Sequence, residues 1–139
     1  MKVLVDRGLE LLTEAECRVL LETEQIGRVG LSVGALPAIF PVNYRIVDGD
    51  IVFRTGEGTK HRAALRGSVV GFEVDRIDPA TATGWSVMAV GVAREVDPLA
   101  EPELTPEYAR IIPWAGGERG RLVRIHPEVI SGRRILPPA

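Results

Sequence analysis

The hydrophobic pattern of the chain changes from a helical period to alternation near Gly27. Before that point apolar residues recur at helical spacing, and Thr13 with Glu16 matches the capping box of a helix N-terminus. After it, apolar and polar residues alternate over 28–33. Further strand-like segments follow at 38–47, 51–55, 68–75 and 85–96. The pattern therefore predicts one helix followed by a series of strands.

Turn residues indicate how these strands connect. Asp48-Gly49 is a strong hairpin signal between two strand-like segments. Gly91 lies inside the longest apolar segment and predicts a strand that bends around a barrel. About six strands joined mostly by hairpins, with short helices beside them, predict a mainly β, antiparallel barrel. With no linker in the sequence, residues 1–139 are expected to form a single domain.

The last third of the chain is less regular. A short helix is predicted at 105–112, where Thr105 can cap it and Pro106 suits its first position. The final strand is predicted in two pieces, 121–125 and 129–135, because a proline removes a backbone donor from a sheet. His126-Pro127 is expected to mark the break between them.

Composition and charge exclude several classes of protein. The 139 residues carry a net charge of −2, so no general affinity for nucleic acid is expected. No apolar run approaches the roughly 20 residues of a membrane span. The N-terminal segment does not resemble a signal peptide, because charges interrupt its apolar residues. A single cysteine cannot form an internal disulfide, which favours a cytoplasmic location.

Isolated reactive side chains offer little catalytic chemistry. One cysteine and two histidines do not make a recognisable ligand set, so no metal site is expected. Cys17 falls on the apolar face of the predicted helix and is expected to be a core residue. His126 has no visible partner for a role as general base. Arg119, Arg121 and Arg124 are interpreted as solvated charges at a strand edge.

The strongest candidate for a binding site is a basic turn after the third predicted strand. Thr59 is a suitable helix N-cap, yet Lys60, His61 and Arg62 occupy the first helical turn, where the helix dipole favours acidic residues. A bound phosphate explains this placement, with the Thr59 hydroxyl and the Lys60 ammonium as its ligands. The alternative is a solvated basic turn on a surface helix.

The order of these segments resembles the pyridoxamine 5′-phosphate oxidase-like family of FMN-binding split β-barrels. The resemblance runs from about residue 12 to residue 135 and rests on several segments together. These are PVNYR, DGDIVFRTGEGTKHRAALR, EVD, GWSV and RLVRIHPEVISGRRI. It implies a six-stranded antiparallel split β-barrel that forms a homodimer, with FMN in a groove at the dimer interface.

The resemblance also implies which residues hold the flavin. Pro41, Val42 and Asn43 would offer backbone groups to the edge of the isoalloxazine ring. Arg54 and Thr55 would lie near the ring and the ribityl chain.

The remaining implied contacts concern the flavin phosphate and the partner subunit. Thr59 and Lys60 would bind the 5′-phosphate, in agreement with the independent argument from the helix dipole. Trp85, Ser86 and Val87 would come from the partner subunit and close over the same groove.

Three aromatic residues have two interpretations each. Phe53 and Trp85 are candidate apolar walls of the flavin slot, and core packing is the alternative for both. Trp114 borders the substrate side of the flavin by resemblance, or covers the end of the barrel as an apolar plate.

The resemblance leaves the activity open. The C-terminal segment does not reproduce the basic, aromatic ending of true pyridoxamine phosphate oxidases, so vitamin B6 oxidation is not expected. The first hypothesis is an FMN-dependent oxidoreductase with an unknown small-molecule substrate. The alternatives are a non-catalytic FMN-binding protein that stores or senses the flavin, and a reductase that uses the deazaflavin F420. An oligonucleotide-binding barrel is disfavoured by the net acidity and the few aromatic residues.

Overall fold

The computed structural model describes residues 3–6, 8–54, 65–97, 100–104 and 122–138. Within these ranges strands predominate. The elements in chain order are β1 (Val3–Asp6), β2 (Leu9–Leu11), α1 (Glu14–Leu21), β3 (Ile26–Val33), β4 (Leu36–Val47), β5 (Asp50–Arg54), β6 (Val69–Asp78), β7 (Thr83–Val96), a 3-10 turn (Pro102–Leu104) and β8 (Leu122–Ile135).

Six of these strands close into an antiparallel barrel. The hydrogen-bonded order is β8-β5-β4-β3-β6-β7, and β7 pairs with β8 to complete the ring. The predicted mainly β, six-stranded antiparallel barrel is therefore confirmed. Closure lets the backbone N–H and C=O groups along both edges of these strands form hydrogen bonds. An open sheet would leave such groups unpaired at its two edge strands.

The barrel is split along one side of β8. One edge of this strand pairs with β7 from Leu122 to Ile135. Its other edge pairs first with β5, through 122–125, and later with β2, through 133–135. The hairpin of β1 and β2, which the sequence reading did not anticipate, therefore extends the sheet beyond the ring.

Helix α1 packs beside this split. The predicted capping box is confirmed, since the Thr13 side chain accepts a hydrogen bond from the Glu16 N–H and the Glu16 carboxylate accepts one from the Thr13 N–H. Cys17 and Leu21 turn into the core, and burial raises the pKa of the Cys17 thiol. Cys17 is therefore the core residue that its helical spacing predicts. No helix in the described ranges is long and apolar enough to cross a membrane.

The hairpins follow the turn chemistry of the sequence. Asp48 and Gly49 both have positive φ, 50° and 81°, between β4 and β5. Gly34 and Ala35 likewise have positive φ between β3 and β4. Such pairs match the twist of antiparallel strands, which explains why these two connections are tight.

The predicted interruption of the last strand at His126-Pro127 is wrong. Strand β8 is continuous, and Pro127 pairs with Gly91 of β7. A register shift between Val90 and Gly91 absorbs an extra residue of β8 at this point. The proline is tolerated because it lies between the β5-paired and β2-paired parts of the strand, where the ladder on that edge changes partner.

The core fills the barrel from all six strands. Val29, Phe53, Phe72 and Ile125 are fully buried members of one large apolar cluster. Strand β5 is buried on both faces, because Val52 on its outer side packs with Leu104 in a second cluster. Double burial explains the unbroken apolar run of Ile51, Val52 and Phe53.

Gly91 supplies a test of this packing. A Cβ at this position would lie 2.2 Å from the carbonyl oxygen of His126, a backbone atom that cannot move aside without disturbing the ladder. We expect Gly91→Ala to lower the free energy of unfolding by about 2–3 kcal/mol in urea titrations. Gly71→Ala is the matched control, because a Cβ there meets nothing within 4 Å. Equal losses in the two variants would contradict the packing described for β7 and β8.

Candidate functional site

Strand β4 presents its predicted flavin contacts at the end that extends past β5. Pro41 is exposed and Asn43 is half-buried on the outer side, whereas Val42 is 6% exposed and faces the core. Pairing with β5 begins at Tyr44, opposite Phe53. Val42 therefore offers no side chain to a ligand outside the barrel, and the backbone contacts implied for 41–43 stay a prediction.

Arg54 comes to the same place from β5. Tyr44 pairs with Phe53, so the next residue along each strand, Asn43 on β4 and Arg54 on β5, lies opposite the other. Both are half-buried. Strand alternation places them on the outer side, since Phe53 and Tyr44 point into the core. Phe53 is thus a core residue and not a wall of an external slot.

The basic turn begins directly after this pair. Thr55, Thr59 and Lys60 lie outside the described residues, as do His61 and Arg62. Their proposed contacts with a phosphate stay a prediction. Trp114, Arg119, Arg121 and the predicted helix at 105–112 also lie outside the described residues.

The start of β7 presents the second group of predicted contacts. Trp85 is half-buried and packs against the core, and Val87 is fully buried. Ser86 lies between them, so alternation directs its side chain outward. A ligand outside the barrel can therefore contact the Ser86 side chain and the backbone on either side of it.

The two groups of predicted flavin contacts, at the ends of β4 and β5 and at the start of β7, lie apart on one barrel. Strands β3 and β6 separate β4 from β7, so three inter-strand spacings, roughly 14 Å, lie between Asn43 and Ser86 along the sheet. The barrel surface is convex between them, which turns the two groups away from each other. A flat ligand lying against Asn43 and Arg54 would therefore not reach Ser86 of the same chain.

The surface between the two groups carries exposed apolar side chains. One row of paired residues crosses five strands: Ile39, Gly30, Gly71, Val90 and Val129. The adjacent row contains Pro41, Arg28, Glu73, Met88 and Ser131. We call these two rows together the outer face.

A shallow groove runs along the outer face. It has a volume of about 360 Å³, and Ile39 and Met88 stand at its two sides. Gly30 and Gly71 form its floor, because without side chains they leave the sheet bare. Ile39 is 77% exposed and Met88 is 48% exposed. Large apolar side chains concentrated around a bare sheet are typical of an interaction surface.

A charged cluster interrupts this apolar surface. Arg28 of β3 lies 3.1 Å from Glu73 and 3.7 Å from Asp75, both on β6. Partial burial, followed by the hydrogen bond and the charge of Asp75, raises the pKa of Glu73 to about 7. These effects outweigh the opposing effect of the Arg28 guanidinium. Glu73 is thus a carboxyl group that titrates near neutral pH.

A second charged cluster lies on the outer side of β5 and β8. The Arg124 Nε donates to Asp50 Oδ2 at 2.7 Å, and Asp50 Oδ1 lies 2.7 Å from His126 Nδ1. Arg124 and Asp50 are buried, whereas the His126 side chain is 77% exposed. The interpretation of Arg124 as a solvated strand-edge charge is therefore wrong.

Glu101 extends this cluster and explains its arginines. Arg94 and Arg124 oppose each other on β7 and β8, where two like charges repel. Glu101 accepts hydrogen bonds from both, at 2.9 Å from Arg94 and 3.2 Å from Arg124. The hydrogen bond from Arg94 is the main cause that lowers the pKa of Glu101. This stabilisation is present at neutral pH and is lost as the pH falls through the lowered pKa.

Sequence reasoning missed the partner of His126. Asp50 and His126 are 76 positions apart, and only the pairing of β5 with β8 brings them together. From sequence alone, an aspartate at the start of a strand is interpreted as a turn residue. No local signal therefore identifies the contact of Asp50 with His126. The residues described here contain no group of three or more His, Cys, Asp or Glu side chains that could hold a metal ion.

Comparison with known proteins identifies the family. The family model for pyridoxamine 5′-phosphate oxidase matches residues 13–134. The chain belongs to the pyridoxamine 5′-phosphate oxidase-like family. This match spans α1 and the six strands of the barrel, except the last residue of β8.

Relatives of this family share both sequence and fold. An uncharacterized protein of Mycobacterium tuberculosis is 40% identical over 131 residues, covering 90% of this chain and 84% of the relative. The FAD-binding protein of Mycobacterium smegmatis is 33% identical, with a TM-score of 0.70, covering 91% of this chain and 98% of its own. A Corynebacterium glutamicum structure, provisionally named a pyridoxamine 5′-phosphate oxidase, is 29% identical with a TM-score of 0.74 and covers 97% and 99%.

Asp50 and His126 differ in their expected contribution to stability. Asp50→Asn removes the charge that faces buried Arg124, and Glu101 compensates only in part, so we expect a loss of about 2–3 kcal/mol in the free energy of unfolding. His126→Gln removes the exposed partner of the same carboxylate and should change stability by less than about 0.5 kcal/mol. Urea titrations at pH 7 measure both values. A larger loss for the His126 variant would mean that this histidine, and not the arginine, anchors Asp50.

Proposed function

We propose that this protein is a flavin-dependent oxidoreductase that binds FMN between the two subunits of a homodimer and acts on a small molecule. The observation that carries this proposal is the 33% identity, over nearly the whole of both chains, to the FAD-binding protein of Mycobacterium smegmatis. Membership of the pyridoxamine 5′-phosphate oxidase-like family supports the same class of cofactor.

The described residues fit a flavin at the end of β4 and β5. The isoalloxazine ring is flat and needs hydrogen-bond donors at its pyrimidine edge, and the chain of a strand offers both a flat surface and N–H groups. Pro41 has no N–H group, and the Val42 N–H faces Gly27 of β3, so the donor in this proposal is the Asn43 N–H. Arg54, beside Asn43, supplies positive charge at the place where the basic turn begins.

The basic turn completes the site in this proposal. Thr59 and Lys60 bind the 5′-phosphate through a hydroxyl donor and a charge-assisted hydrogen bond. Thr55 lies along the ribityl chain. When bound, the flavin supplies the electron transfer, and the protein orients the ring and excludes water from it.

The separation of the two groups of predicted contacts supports a homodimer. A second copy that packs its outer face against the first can bring its own Trp85, Ser86 and Val87 over the flavin held by Asn43 and Arg54. The outer face suits such contact, because it is apolar and carries the groove between Ile39 and Met88. On this arrangement each flavin site takes residues from both subunits.

Two other cofactors and one other role compete with this proposal. FAD is favoured by the name of the Mycobacterium smegmatis relative and would use the same phosphate end of the site. F420 is a deazaflavin that needs a similar flat slot. A non-catalytic protein that stores or senses FMN would have the same binding residues.

Identification of the bound ligand and anaerobic reduction test the proposal together. The purified protein should be yellow, and the mass of the released ligand distinguishes FMN, FAD and F420. Bleaching of the bound flavin by NADPH, NADH or reduced F420, followed by rapid reoxidation by an acceptor, supports an oxidoreductase. A flavin that no physiological donor reduces would favour the storage or sensing role. A colourless protein that also fails to bind added FMN or FAD would contradict every flavin hypothesis.

Lys60→Ala tests the phosphate contact. Loss of a charge-assisted hydrogen bond should weaken FMN binding by about 1.5–3 kcal/mol. Riboflavin has no phosphate, so its affinity should change much less. Fluorescence titration of the two ligands against wild-type and variant protein measures the difference. Equal losses for both ligands would show that Lys60 does not contact the phosphate.

Ile39→Lys tests the dimer. This substitution places a charge at one side of the groove on the outer face, where a second copy would have to bury it, and should convert the dimer to a monomer of lower flavin affinity. Val19→Lys is the matched control, because Val19 is an exposed apolar residue of similar size on α1, away from the outer face. Sedimentation velocity measures the oligomeric state. A dimer that survives Ile39→Lys would place the subunit interface elsewhere.

A further inference from the structure

We propose that protonation of the carboxyl pair in the groove that runs along the outer face, Glu73 and Asp75, controls the stability of the homodimer. This inference rests on the proposed function, because it assigns a regulatory role to the surface through which the two subunits meet. It concerns the charged cluster on that surface, whose purpose the proposed flavin contacts leave unexplained.

The position of the cluster is the first step. Arg28 and Glu73 belong to the second row of the outer face, between Pro41 and Met88. Both carboxyl groups and the guanidinium line the groove. A second copy that covers the groove must therefore cover these three side chains as well.

The charge of the cluster is the second step. With both carboxyl groups ionised, one arginine faces two carboxylates, and the net charge is −1 on each subunit. A two-fold axis through the outer face would bring two such clusters towards each other. Both like-charge repulsion and the removal of water from an uncompensated carboxylate would then oppose association. A proton on one carboxyl group makes each cluster neutral.

The acidity of the cluster is the third step. In the described structure the pKa of Glu73 already stands at about 7 because of burial and of Asp75. Covering the groove strengthens both causes, so the dimer binds protons more tightly than the monomer. Association must then become weaker as the pH rises through neutrality, by up to tenfold in Kd per pH unit for each proton bound.

Few other charged groups lie beside Glu73 on the described neighbouring strands. On β3 and β4, the row that contains Glu73 continues with Arg28 and Pro41, and of these two Arg28 is charged. On β7, Met88 lies opposite Glu73. Ser86, two residues earlier on β7, pairs with Arg133 of β8. His126 lies farther along the sheet, opposite Val92. His126→Gln therefore serves as a control at an exposed side chain outside the cluster.

The test is the dimer dissociation constant of the full chain, measured by fluorescence-detected sedimentation between pH 6 and pH 8 at fixed ionic strength. We expect the wild-type Kd to rise by at least about tenfold across this range. Glu73→Gln imitates the protonated form and should keep a low Kd with little dependence on pH. His126→Gln should keep the dependence of the wild type.

Three results would overturn the inference. The first is a wild-type Kd that does not change with pH. The second is a Glu73→Gln variant with the same dependence as the wild type. The third is loss of the dependence in His126→Gln, which would assign the effect to the histidine.

Flavin absorption recorded on the same samples separates this inference from the proposed function. A flavin-loaded dimer with a constant Kd contradicts only the role of Glu73, whereas protein that binds no flavin at any pH contradicts the proposed function itself.

Discussion

The structure depends on the pairing of β7 with β8 along the whole length of β8, because this pairing closes the barrel. It requires the two backbones to approach closely at Gly91, where no side chain can be accommodated. It also turns Arg94 towards Arg124, and Glu101 then stabilises both while it holds the segment before the 3-10 turn against the barrel. Among the described residues, the inner sides of the six barrel strands contribute to one buried apolar cluster, so the flavin site that we propose lies outside the ring.

A site on the outside of a closed barrel is necessarily shallow. In the site that we propose, Asn43 and Arg54 form one wall, and the barrel curves away from them. In our account the outer face, where Gly30 and Gly71 leave the sheet bare, lets a second copy approach closely enough to supply the other wall. The same face then carries two roles in our account: it positions Ser86 of one subunit over the flavin of the other, and it brings the Glu73 cluster into the interface. This links cofactor binding to assembly and assembly to pH.

Local patterns predicted much of this architecture. The capping box of α1, the Asp48-Gly49 hairpin and the alternation of β3 depend on neighbouring residues, so the sequence alone reveals them. The continuity of β8 could not be predicted, because Pro127 is tolerated only where the strand changes partners. The burial of Arg124 and the contact of Asp50 with His126 also depend on pairing between distant strands. For the candidate site, the chain predicted which residues carry suitable chemistry, but not that Asn43 and Ser86 lie three strand spacings apart.

The central claim is that the flavin lies between two copies of this chain. Native mass spectrometry of the purified protein tests it most directly, because it reports subunit number and bound ligand in the same particle. Our account predicts a dimer that carries two flavin molecules, and simultaneous loss of both flavins when the subunits separate. Monomers that retain one flavin each after separation would show that a single barrel holds the cofactor, and would contradict the account.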